Sequence, residues 1–227
     1  MTSAARRALV IAPHPDDEVL GVGGTVARLA SEGWEVTVAI VTSATPERFG
    51  SGSLAMGRAE ARRAHEILGV HASRFLGDIP AAEVDRMSHA SVNLALGAVV
   101  RDVRPDSMFI PFAGDIHLDH QLIALSSMVA ARPVNHARPT RLYAYETLSE
   151  TNWNAPYVAP AFQPNTFVDV SATLETKLEA MKAYASQLRP FPEERSLEAI
   201  RALATLRGAT VSLTAAEAFV LLREIRR

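Results

Sequence analysis

The sequence predicts an α/β fold, an open and mostly parallel β-sheet with helices on both faces. Three observations lead there. Short apolar runs alternate with helix-period segments through the first 145 residues, and strand–helix–strand units close into parallel sheets with right-handed crossovers. At 227 residues the chain is long enough for one sizeable core and short for two, so one domain over residues 1–227 is expected. Its composition, 48% apolar and 21% charged, is ordinary for a globular protein.

The elements follow in order. Residues 8–12 form an apolar run stopped by Pro13, a buried strand. Residues 20–33 carry a helical apolar face and end on Gly33. Residues 34–41 are β-rich and complete the first strand–helix–strand unit. The polar stretch 42–53 reads as a loop, 54–68 as a helix closed by Gly69, and 71–76 as a third strand. Residues 77–86 are loop-like, 88–103 helical, and 107–112 a fourth strand ending near Pro111. A second polar loop, 113–120, leads into a helix over 122–131. A fifth strand is expected at 141–145, a long structured loop at 147–164 and a strand at 166–170. Helices are then expected at 171–184, with Ser171 as N-cap, at 196–206, and at 214–226, where Thr214 and Glu217 make a capping-box pattern.

Two loops concentrate chemistry. After the first strand come His14, between two prolines, and the acids Asp16, Asp17 and Glu18. After the fourth come His117, Asp119 and His120. In a sheet of order 3-2-1-4-5, strands 1 and 4 are neighbours where the order reverses, which is where open α/β sheets bind ligands. The macrodipole accounts for acids at a helix start, at about 0.3–1 kcal/mol each, but not for a proline-flanked histidine. Two histidines and a carboxylate with an open position form a catalytic zinc ligand set. A metal held there makes water acidic near neutral pH, and the remaining groups would serve as general base and oxyanion partner. The histidines at 65, 71, 89 and 136 lack acid-rich loops and read as surface or satisfied positions.

Other properties bound the function. No cysteine is present, so a metal must rest on His, Asp or Glu. The net charge of −2, with no long run of one sign, gives no nucleic-acid footprint. No apolar stretch approaches the roughly 18 residues of a membrane span, and the first ten residues do not make a secretory leader. A cytoplasmic protein is therefore expected. Gly21-Val22-Gly23-Gly24-Thr25 after a strand invites a nucleotide-binding reading, but position 26 is Val and three acids stand where a pyrophosphate would dock.

Ala12-Pro13-His14-Pro15-Asp16-Asp17-Glu18, with Gly23-Gly24-Thr25, resembles a signature of the LmbE-like, or PIG-L, zinc-dependent N-deacetylases. His117-Leu118-Asp119-His120 is similar to their second signature, with Leu118 in place of proline, and residues 58–69 resemble their Arg/Glu-rich helix ending in Leu-Gly. The resemblance implies a Rossmann-like, LmbE-like fold. It also implies hydrolysis of an N-acetyl group, most often on N-acetylglucosamine, with Zn2+ or another divalent metal as cofactor. It assigns His14, Asp17 and His120 to the metal and Asp16 as general base. His117 would be the protonated oxyanion stabiliser, and Asp119 would orient it and keep it charged. Arg58 would contact the sugar, Glu18 would stand behind the site, and a homo-oligomer is compatible with the family. Some members carry a tyrosine at the position of Asp115. Trp153, Tyr157 and Arg48 are candidates for a sugar pocket, with a packed loop as the competing reading of the two aromatics. An amidase for another N-acyl sugar or thiol conjugate, and a catalytically inactive binding subunit, remain the alternatives.

Overall fold

The computed structural model describes residues 5–226; the start of the segment read as lacking a leader lies outside them. Seven strands form one sheet in the order β3-β2-β1-β4-β5-β7-β6. The strands are β1 (Arg7–Ala12), β2 (Glu35–Ile40), β3 (Ala72–Phe75), β4 (Ser107–Pro111), β5 (Arg141–Tyr145), β6 (Thr166–Asp169) and β7 (Ala216–Glu224). β1 pairs in parallel with β2 and β4, β2 with β3, and β4 with β5. β7 runs antiparallel to both β5 and β6. The sheet is thus mostly parallel, as expected, with an antiparallel edge.

The helices are α1 (Asp17–Ser31), α2 (Pro46–Phe49), α3 (Ser53–Leu68), α4 (His89–Val103), α5 (Leu118–Ala130), α6 (Leu174–Ala183) and α7 (Leu197–Ala209). β1 shows why both faces of the sheet are covered. Ala8, Val10 and Ala12 enter the core made with α1, α3, α6 and α7, while Leu9 and Ile11 enter the core made with α4 and α5. A strand buried on both sides is apolar at every position, which is why it reads as a continuous run.

Several boundaries move, and two readings are corrected. α1 begins at Asp17, so Asp17 and Glu18 occupy its buried first turn. α5 begins at Leu118 with His117 as N-cap, which puts Asp119 and His120 in its first turn. The N-cap position of α6 is Thr173, and the Ser171 hydroxyl turns to Asp169 instead. The predicted helix over 214–226 is strand β7. Ala, Glu and Leu there favour helix intrinsically, but the segment fills the slot between β5 and β6, and tertiary pairing overrides propensity. Loop 42–53 contains the short helix α2, and a 3-10 turn lies at Val84–Arg86.

The glycines of α1 serve packing. A Cβ on Gly21 would stand 2.2 Å from the Tyr145 ring, whose hydroxyl donates to the Ile11 carbonyl oxygen at 2.8 Å. That ring is fully buried and cannot retreat. Gly21→Ala is therefore expected to destabilise the fold by about 1–3 kcal/mol or more through overpacking. Chemical denaturation would measure it, and an unchanged midpoint would refute the packing role.

Candidate metal centre

The two parallel strands β1 and β4 end side by side, and the loops that follow them carry the histidines and acids. The first loop is fastened to its neighbour, since Thr42 donates to the Pro13 carbonyl oxygen through both its amide (3.0 Å) and its hydroxyl (2.8 Å). At the turn into α1, Asp16 adopts φ 114°, a left-handed conformation that is costly for a residue with a side chain. The Asp16 and Asp17 side chains are both buried.

Three donor atoms form a near-equilateral triangle. His14 Nδ1 and Asp17 Oδ2 are 3.3 Å apart, His120 Nε2 and Asp17 Oδ2 3.2 Å, and His120 Nε2 and His14 Nδ1 3.3 Å. Zinc bonds of about 2.0–2.2 Å in a tetrahedron require donor separations of about 3.3–3.5 Å. These residues therefore fit a metal ion. Asp17 Oδ1 is buried without a hydrogen-bond partner, which fits a carboxylate built for a cation. Each imidazole also has a carboxylate on its remote nitrogen: Asp119 Oδ2 lies 3.1 Å from His14 Nε2, and Asp115 Oδ2 lies 2.9 Å from His120 Nδ1. Such partners fix the ring orientation of metal-ligating histidines.

A second cluster, His14, His117 and Asp119, also brings donor atoms together. It fits less well. The Asp119 carboxylate already accepts from the amides of Ala82 (2.6 Å) and Val84 (3.4 Å), and His117 Nδ1 accepts from the Asp119 amide (3.1 Å).

The charges explain one another. Burial alone would lower the His14 imidazole, but the Asp119 and Asp17 carboxylates outweigh it and raise it to about 9. His120 is likewise raised against burial, by Asp17 and Asp115. Asp17 lies well below the usual carboxylate range, because the two imidazoles outweigh its burial. Asp16 goes the other way: burial pushes it up to about 8, with the Arg195 guanidinium pulling it down. A buried carboxyl that titrates near neutrality suits proton transfer.

The structure corrects the relation between Asp119 and His117. The Asp119 carboxylate turns to His14, and only its backbone amide reaches His117. His117 Nδ1 is thereby an acceptor, which leaves the ring proton on Nε2. Its pKa is lowered, first by burial and then by the His14 charge, with the Asp119 carboxylate acting in the opposite direction.

Other residues are placed as follows. Arg58 lies over β3, its guanidinium 5.5 Å from the Phe75 ring and its buried Nε unpartnered. Glu18 lies behind the loop. It accepts from the Tyr184 hydroxyl, lies 3.3 Å from His65 Nε2 and accepts weakly from the Asp16 amide at 3.3 Å. His65 is a buried partner in that network and not a surface residue. Arg48 pairs with Glu83 at 3.1 Å, and Tyr157 is 98% exposed, so its packed-loop reading is excluded.

Two contacts have no signal in the sequence. Asp115 stands out there only as a departure from tyrosine; in the structure it is buried behind His120 and accepts from the Thr151 hydroxyl at 2.6 Å. Arg195 donates to Asp16 Oδ2 at 3.2 Å across 179 residues of sequence, from an irregular segment that carries no motif.

Fold and site together define an α/β protein with an open-sided candidate metal centre of two imidazoles and one carboxylate at the switch point of its sheet. The chain belongs to the PIG-L family, described as GlcNAc-PI de-N-acetylase, whose model matches residues 9–131. It is 29% identical over 202 residues to the diacetylchitobiose deacetylase of Thermococcus kodakarensis, covering 83% of this chain and 72% of the relative. It is 28% identical over 248 residues to the 1D-myo-inositol 2-acetamido-2-deoxy-alpha-D-glucopyranoside deacetylase of Rhodococcus erythropolis, covering 85% and 84%. A conserved protein of known structure from Thermus thermophilus superposes with a TM-score of 0.78 at 28% identity, covering 97% of this chain and 96% of that one.

Proposed function

We propose that this chain is a zinc-dependent deacetylase that hydrolyses the N-acetyl group of an N-acetylglucosamine-type sugar, yielding the free amine and acetate. The triangle of His14 Nδ1, Asp17 Oδ2 and His120 Nε2 beside buried Asp16 carries this reading. The sugar-deacetylase relatives supply the substrate class. The whole chain acts as one domain, with action in the cytoplasm as part of the same reading; among the described residues no helix is long and apolar enough to cross a membrane.

His14, Asp17 and His120 would hold the metal, with Asp119 and Asp115 fixing the two rings from behind. A bound divalent cation supplies Lewis acidity, making water a better acid and an amide carbonyl a better electrophile. Asp16 accepts the proton of the attacking water and later delivers it to the departing amine nitrogen. Arg195 holds Asp16 through Oδ2 and balances its charge once the proton has left. His117, at the N-cap of α5, donates from Nε2 to the oxygen on which negative charge develops; a neutral imidazole at a helix N-terminus is suited to that task. Arg58 would meet the sugar from the side of loop 77–87.

Asp16→Asn keeps the shape and removes the base. Its kcat is expected to fall about 10²–10⁴-fold, with KM and bound metal near wild type. Acetate release from N-acetylglucosamine conjugates, measured beside the metal content of the same preparation, checks this. Wild-type turnover in the variant would remove Asp16 from the mechanism, and turnover only of other N-acyl substrates would redirect the assignment to an amidase.

A further inference from the structure

A groove of about 560 Å³ opens between the loop 147–164 and the segment 187–195, with Arg195 in its lining. That volume lies within the roughly 300–1,000 Å³ of small-ligand sites. Its inner end is Arg195, which touches Asp16 at 3.2 Å, and Glu150, whose Oε1 lies 3.5 Å from Arg195 Nη2. Its outer wall includes Trp153, Gln187 and Arg189.

The two walls are tied together. Glu194 accepts from the Ser149 amide at 2.6 Å, from the Asn152 side chain, and from Trp153 Nε1 at 3.0 Å. The indole is therefore held by its polar edge while the residue remains 60% exposed, leaving ring surface free. The Arg189 guanidinium donates only to the carbonyl oxygens of Ser186 and Leu188, through Nη1, and has no carboxylate partner among the described residues. It retains donors for a ligand.

We propose that this groove is a second subsite of the deacetylase, holding the sugar ring joined to the N-acetylated ring that is cleaved. The proposal rests on the deacetylase reading above. An aromatic surface meets the C–H face of a pyranose, while carboxylate, amide and guanidinium groups satisfy hydroxyls at its edge. The charge balance argues against an anionic occupant: Glu150, Glu193 and Glu194 outnumber Arg189 and Arg195. Its single aromatic among charged groups argues against a lipid chain. The groove therefore suits an uncharged or amine-bearing saccharide.

Two measurements test this. The chain has only two tryptophans, and Trp34 is 8% exposed, so fluorescence changes report mainly on Trp153. Titration with the β-1,4-linked glucosamine disaccharide, an unreactive product, is expected to give a saturable change that Trp153→Ala abolishes, whereas glucosamine gives none in the same range. In kinetics, Trp153→Ala is expected to lower kcat/KM for the N-acetylated disaccharide about tenfold, the upper range of one aromatic contact. Most of that loss should fall on KM, N-acetylglucosamine should be unaffected, and Trp153→Phe should restore much of it. Arg189→Ala should shift the disaccharide in the same direction. A silent Trp153, or equal effects on one-ring and two-ring substrates, overturns the subsite. If no N-acetyl sugar is hydrolysed while Trp153 still responds to the disaccharide, the deacetylase reading fails and the binding site stands.

Discussion

Asp17→Ala is expected to leave the protein unable to retain a metal and to reduce turnover to background. Asp17 is the only carboxylate in the donor triangle, within 3.3 Å of both imidazole donors. It also accepts from the His14 backbone amide at 2.8 Å, which fixes it relative to that ring. Its removal takes away a ligand and the negative charge that compensates the cation. Asp115→Asn gives the graded comparison. It weakens only the support behind His120, and loss of such a partner lowers metal affinity about 10–100-fold. Metal-to-protein ratio after dialysis against a weak chelator, with circular dichroism to confirm folding, is the measurement. Wild-type metal in Asp17→Ala, together with loss of metal in His117→Ala, would move the ion to the second cluster of His14, His117 and Asp119.

The outcome also bears on how much the sequence disclosed. Strands β1, β2 and β4 were legible because a strand buried on both faces is a short apolar run, and the alternation of strands with helices admits few topologies. Once strands 1 and 4 are neighbours, His14 and His120 meet although 106 positions separate them. The carboxylates behind the rings were less legible. Nothing local distinguishes Asp115 from a loop acid until His120 is seen resting on it, and Arg195 reaches Asp16 only through the three-dimensional path of an irregular segment. The resemblance assigns Asp119 to His117, whereas the first turn of the helix Leu118–Ala130 brings its carboxylate to His14. The glycines of α1 resembled a phosphate loop, but their positions are occupied from outside by Tyr145, Lys177 and Val170.

The misread strand β7 carries the second large expected effect. Glu217 points from β7 into α1, where its carboxylate accepts from the amides of Gly24 (2.8 Å) and Thr25 (2.7 Å). Lys177 from α6 donates to Glu217 Oε1 at 2.6 Å and to the Leu20 carbonyl oxygen at 2.8 Å. Both side chains are at most 5% exposed. The pair thus joins α1, α6 and β7 by satisfying backbone groups in the middle of a helix. Removing one member of a buried pair costs about 3–5 kcal/mol, because the other charge is left stranded. The two variants are unequal. Lys177→Met leaves a carboxylate that still accepts two amide protons, so about 3 kcal/mol is expected. Glu217→Leu strands those two donors and an ammonium group together, and about 5 kcal/mol is expected. For a domain of this size each kcal/mol lowers Tm by roughly 2–4 °C, so calorimetry separates the two. Equal losses would show that the ion pair alone matters. A larger loss in Lys177→Met would show that the carboxylate does not hold the α1 amides, and the account of how β7 is anchored would fail.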